Sequence, residues 1–331
     1  MKIDTSLPIT ASLDPRDAAA RAEREGFDGV WASEINHDPF LALGLAATAT
    51  DRITLGTAIA LSFARNPMST AVLANDLQVL SGGRLLLGLG TQVRAHITRR
   101  FGMPWSHPAA RLREFVLAMR AIWSCWYDGV PLDFRGQFFT HTLMTPMFTP
   151  EPHPSGPPRV LLAGVGELMT EVAGEVADGF LCHGFTTEAY LREVTLPALA
   201  RGRQHAGAGM GGFDIVGAPF LVVGRTESEL ATAAAAVRGQ IAFYGSTPAY
   251  RAVLDRHGWG ALGEELHALS RANRWAEMAG LIDDEVLDAF VWAGSGSFLS
   301  CGAEVAGAGV CAGVAGAVGG EEWLDACRGG G

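Results

Sequence analysis

The chain has 331 residues, 48% of them hydrophobic and 18% charged, a balance that suits a folded globular protein and excludes a disordered one. Its length fits one large α/β domain or two small ones. A formal net charge of -10 argues against non-specific binding to nucleic acid or anionic membrane, although backbone N–H groups can still hold a phosphate.

No basic N-terminus followed by an apolar stretch reads as a signal peptide. No apolar run reaches the ~18 residues of a membrane span. The cytoplasm is therefore the expected location. Cys125, Cys182, Cys301, Cys311 and Cys327 form no CxxC pair and have no histidine at metal-ligand spacing, so no metal is expected.

In chain order, Lys2–Thr5 reads as a short strand, and Asp14-Pro15 as the N-cap and first residue of a helix that runs to Glu25. Phe27–Ala32 is a buried strand, Pro39–Thr50 an apolar helix and Arg52–Ala60 a strand rich in β-branched residues. Helix Pro67–Leu80, the turn Ser81–Gly83 and strand Arg84–Leu89 follow, then a long helix at Pro108–Tyr127. After an irregular, proline-rich stretch come Arg159–Ala163, Glu167–Val176, Gly179–Cys182, Thr186–His205, Asp214–Val223 and a helix from near Thr226. This alternation predicts a parallel sheet with right-handed crossovers. Strand candidates in this number favour an eightfold (β/α) barrel, the TIM-barrel class, over an open doubly wound sheet. Insertions are expected at about 91–106, 128–158 and 245–280.

Residues 1–290 read as the barrel domain and 291–331 as an atypical tail. From Val291 the chain is mostly Gly, Ala, Ser, Val and Cys, and no segment there reads as an eighth strand or final helix. A flexible tail is one reading. The other is an out-of-frame 3′ end in a GC-rich gene, a composition also indicated by Lys2 being the only lysine.

In a (β/α) barrel the chemistry sits on the loops after the strands. Those loops carry Ser33–Asp38, Ala58–Ala60 leading to Phe63–Pro67, Gly88–Gln92, Gly164–Gly166 and His183–Phe185. Here the sequence becomes specific. GTAIALSFARNPMSTA, SGGRLLLGLGTQ and LLAGVGELMTEVAGEVADGF resemble the third-strand, fourth-strand and phosphate-binding regions of luciferase-like monooxygenases. ASEINHDPF, FGMPWSHPAARLREFV and QIAFYGSTPAYRAVLDRHGWG resemble a subgroup of F420-dependent oxidoreductases common in actinobacteria. The resemblance runs from Met1 to about Phe290.

It implies coenzyme F420 as cofactor, with FMN as the alternative, a small-molecule substrate and a homodimer. A reductase partner would be needed only with FMN. Ala58–Ile59 matches a place where the family often has a non-prolyl cis peptide against the cofactor ring; an ordinary strand end is the other reading. Gly164, Val165 and Gly166 would bring backbone N–H groups and a helix N-terminus to the cofactor phosphate. Gly90, Thr91, Gln92 and His183 join them as cofactor-binding candidates, and His183 also reads as a surface histidine.

Glu34 and His37 fall where F420-dependent relatives carry an acidic residue and a histidine, so they are the catalytic candidates for proton or charge control. His37 also reads as a cap for the helix at Pro39, which Asp38 would do better. Where sugar-phosphate dehydrogenases of the family place a catalytic glutamate, this chain has Gln92-Val93, which argues for a different substrate. Arg94, His96, Arg99 and Arg100 would meet an acidic tail or form a solvated basic face. Among aromatics near strand ends, Phe63 is the substrate-pocket candidate. An FMN-dependent monooxygenase and a damaged, non-catalytic paralogue are the competing readings.

Overall fold

A computed structural model describes residues 2–292 and 310–314. Helices α1 (Pro15–Arg24), α2 (Pro39–Ala47) and α3 (Pro67–Leu80) start from one local instruction, a polar residue followed by proline. The side chains of Asp14, Asp38 and Asn66 each accept a first-turn N–H, and proline occupies the position whose own N–H would find no partner. Helix α4 (Pro108–Asp128) also opens on proline, and α5 (Glu167–Val176) follows Gly166. Residues from Glu188 lead through a π-helical turn at Leu191–Thr195 into α6 (Leu196–His205).

The strands are β1 (Lys2–Ser6), β2 (Gly29–Ala32), β3 (Thr54–Thr57), β4 (Leu85–Gly90), β5 (Arg159–Ala163), β6 (Gly179–Leu181), β7 (Asp214–Gly217) and β8 (Val310–Val314). Each pairs in parallel with the next, and β8 pairs with β1, so the ring closes. The (β/α) barrel expected from the alternation is the observed architecture. The eighth place, for which no segment of the tail was legible, is taken by Val310–Val314, between Ile215–Gly217 on one side and Lys2–Thr5 on the other. The expectation of an altered reading frame falls largely outside the described residues.

Two strands are shorter than expected. Arg52–Ala60 divides at a cis peptide between Ala58 and Ile59, and Ala60–Leu61 then continues beside β4. Asp214–Val223 ends its barrel part at Gly217, while Phe220–Leu221 pairs with Val291–Trp292 outside the ring. The third insertion is larger than expected and begins straight after β7. It holds α7 (Glu227–Gly245), α8 (Arg251–Arg256), α9 (Gly260–Arg271), α10 (Trp275–Met278) and α11 (Asp284–Phe290). Thr226 and Glu229 form a reciprocal capping box at its first helix. These helices bury their own apolar cluster, including Ile241, Leu254, Leu266 and Phe290, against Phe185 and Tyr190 from the β6–α6 segment.

The main core lies between the strands and helices α1–α6. Inside the barrel, Trp31, Leu161, Leu181 and Val216 form a separate cluster. Glycine makes room for it: a Cβ on Gly56 would lie 2.2 Å from Cε3 of Trp31. This cluster fills the barrel axis among the described residues, below the C-terminal ends of the strands.

Candidate active site at the barrel mouth

Strand ends converge on a cavity of about 240 Å³. β1 brings Thr5 and Ser6, and β2 brings Trp31 and Ser33. Ala58 and Ile59 come from the end of β3, Ala163 from β5, Leu181–Gly184 from β6, and Val216 with Ala218 from β7. Trp31, whose indole lies over Gly56, is one of the lining residues. Ala58, Ile59 and His183 are thus brought together as expected from their places after strands.

Burial sets the chemistry of these walls. It pushes the His183 imidazole down to about 4 and the Cys182 thiol up to about 12, so both are neutral near pH 7. The lining therefore carries no charge at that pH. His183 Nδ1 accepts the Phe185 N–H at 2.9 Å, which places the ring proton on Nε2 in the neutral form. Nε2 then donates to Tyr250 Oη at 3.3 Å, and the imidazole packs between Tyr244 and Tyr250, each with its centroid 4.7 Å away. Burial also pushes the Tyr250 phenol up to about 12, so it stays protonated. The excursion after β7 thereby reaches the cavity through one histidine.

The other expected residues take different places. Glu34 does not line the cavity. Its Oε2 accepts the Leu61 N–H at 2.8 Å and pairs with Arg65 at 2.6 Å, and Arg65 also bonds Asp38 at 2.8 Å. This triad ties the β2 loop to the residues just beyond Ala58–Ile59. His37 is exposed on the same loop, and Asp38 caps α2, as its geometry favoured. Gly90 stands behind Ile59: a Cβ there would come within 2.8 Å of Ile59 Cδ1. Thr91 bonds the Gln92 carbonyl, and Gln92, at φ 62, turns its Oε1 to the Val93 N–H. Arg94, His96, Arg99 and Arg100 are exposed, and Arg100 reaches back to the Ile35 carbonyl at 2.6 Å.

Phe63 belongs to the core instead of the cavity. It is buried, with Trp105 edge-on at 5.3 Å and the Arg111 guanidinium 4.8 Å from its centroid. A strand-end aromatic can face either side of the sheet, and this one faces the helices. At Gly164–Gly166, Gly166 adopts φ 82 and α5 begins with no side-chain cap. Its first-turn N–H groups thus have no side-chain acceptor, directly after Ala163 of the cavity wall. No group of three or more potential metal ligands occurs among the described residues. No helix among them is long and apolar enough to cross a membrane.

The family model for luciferase-like monooxygenases matches residues 13–307. The chain belongs to that family. The match extends beyond Phe290, about where the resemblance in the sequence had stopped. This luciferase-like protein is an oxidoreductase. It is 55% identical over 294 residues to the uncharacterized protein Rv1360 of Mycobacterium tuberculosis, covering 89% of this chain and 86% of that protein. It is 33% identical over 233 residues to the F420-dependent glucose-6-phosphate dehydrogenase of Nocardia farcinica, covering 64% of this chain and 67% of that protein. Its fold is that of the coenzyme F420-dependent tetrahydromethanopterin reductase of Methanopyrus kandleri, at a TM-score of 0.75 and 22% identity, over 99% of this chain and 96% of that one.

Tyr250, Thr5 and Ser6 of this luciferase-like site are not among the sequence candidates. Tyr250 lies in the excursion, with no strand end to mark it. Thr5 and Ser6 do carry a signal, since they close β1 and so stand at a strand end like the other candidates.

Proposed function

We propose that the protein is a coenzyme F420-dependent oxidoreductase that moves a hydride between the deazaflavin and a small organic substrate. The observation that carries this reading is the uncharged cavity at the barrel mouth, with a glycine turn and an uncapped helix beside it. The F420-dependent relative supports the choice of cofactor. Gln92-Val93, where the sugar-phosphate dehydrogenases have glutamate, supports a different substrate.

The residues fit such a group. Gly164–Gly166 and the start of α5 would hold its phosphate, since α5 has first-turn N–H groups without a side-chain acceptor. Ala58–Ile59 and Trp31 would bound its ring, with Gly90 supporting Ile59 from behind. Bound F420 supplies a two-electron hydride carrier at its C5. The protein fixes the face presented, the distance, and the dryness of the site. His183, neutral and engaged through both nitrogens, is a wall and not a proton source. Glu34 acts as a positioning residue through Arg65 and Leu61, and exposed His37 is the proposed catalytic group on that loop. We further infer a homodimer, supported by the outer face of α2, where Leu41 and Leu45 are exposed.

FMN is the second reading, because the family takes its name from monooxygenases and the same turn would hold its phosphate. Parallel titration of the purified protein with F420 and with FMN, followed by ligand fluorescence and melting temperature, separates the two. We expect F420 to bind and raise the melting temperature while FMN does not. Tight FMN binding without F420 affinity would overturn the assignment.

A further inference from the structure

The barrel interior holds a carboxyl group that the proposed hydride transfer does not use. Asp4, in the middle of β1, is 2% exposed. In register it lies opposite Gly29 of β2 and Gly313 of β8. A Cβ on Gly29 would sit 2.7 Å from Asp4 Oδ1, so the carboxyl occupies the space a side chain would fill. Asp4 Oδ2 accepts the Nε1–H of Trp31 at 2.8 Å, in a contact buried on both sides. Trp31 in turn covers Gly56 and lines the cavity. Asp4 thus touches the site through one indole ring.

An apolar residue would fill this interior without desolvating a carboxyl, so stability alone does not account for the aspartate. What it supplies is a charged acceptor for a buried indole N–H that would otherwise be unpaired. We propose that Asp4 is a positioning residue of the mouth cavity, its carboxylate locking the Trp31 indole in the orientation that lines the cavity beside the bound ring. The bound ring rests on the cofactor reading above; the link from Asp4 to Trp31 does not.

The link responds to pH. Burial, opposed by the Trp31 hydrogen bond, pushes the Asp4 carboxyl up to about 6. Among the described residues, the charged groups acting on it are Asp28, which raises it and itself accepts the Ile3 N–H, and Lys2, which lowers it.

The test uses the full chain as wild type and as Asp4→Asn, Asp4→Leu and Trp31→Phe. Tryptophan emission of the ligand-free proteins is read from mildly acidic to mildly alkaline pH, the difference from Trp31→Phe isolating Trp31. A one-proton transition near pH 6 is expected in wild type and not in Asp4→Asn. In the second arm, Asp4→Leu weakens binding of F420, or of FMN if that is the ligand, by about tenfold or more. Asp4→Asn, which keeps an acceptor oxygen, rescues most of that loss. A transition that persists in Asp4→Asn, or unchanged ligand affinity in Asp4→Leu, overturns the proposal. If Asp4→Leu does not fold, the emission arm decides alone. If neither cofactor binds, that arm still decides the Asp4–Trp31 link, while the cofactor reading falls.

Discussion

Asp4 and His183 lie within the same barrel, and burial pushes the carboxyl of the first up to about 6 and the imidazole of the second down to about 4. Their linkage to stability has opposite sign. Asp4 rises from an ordinary 3.8, so the folded chain holds its proton more tightly than the unfolded chain, and stability is lost as pH climbs through that interval. His183 falls from an ordinary 6.5, so the unfolded chain takes the proton first, and stability is lost as pH descends from there toward 4. Each shift is worth on the order of 3 kcal/mol, so in wild type the two nearly cancel. His183→Gln should therefore lose stability as pH rises from 4.5 to 6.5, and Asp4→Asn as pH falls over the same range, by about 2 kcal/mol each. Urea unfolding across that range checks this; two variants with the wild-type profile would refute it. The sequence showed His183 at a strand end, but not its bond to Phe185 or its contact with Tyr250. Asp4 was unreadable because a polar residue in a short strand ordinarily faces water, and only barrel closure turns it inward.

The starts of α1, α2 and α3 were legible because capping is local chemistry, set by a polar residue and the proline after it. Strand β8 was illegible for the converse reason. Val310–Val314 sits in an Ala/Gly background without alternation, and its place follows from backbone pairing with two distant strands. Helix–helix contact is another property that pattern does not show. Helices α5 and α6 cross at Gly174 and Gly202, where a Cβ on Gly202 would lie 1.9 Å from the Glu171 carbonyl oxygen and one on Gly174 2.3 Å from that of Leu199. Gly202→Ala should separate the helices and cost about 2–3 kcal/mol despite alanine's better helix propensity. An unchanged or raised urea midpoint would show that the crossing is looser than described.

For the whole molecule, α2 is the informative surface. Phe40, Leu43, Ala46 and Ala47 face the core, yet the opposite side exposes Leu41 at 76% and Leu45 at 42%, and the helix has no charged residue. A helix apolar on all sides is ordinarily covered on all sides, and neighbouring α3 also exposes Val72, Val79 and Leu80. Light scattering should give a dimer for wild type and a monomer for Leu41→Glu combined with Leu45→Glu; a monomeric wild type would refute the homodimer. Inside the barrel, Trp31, Leu161, Leu181 and Val216 close the axis beneath the cavity. If the proposed cofactor and its substrate both bind at this mouth, they would share one doorway. The one seated deeper would then enter first and leave last, and an excess of the outer ligand would trap the inner one instead of speeding its exchange.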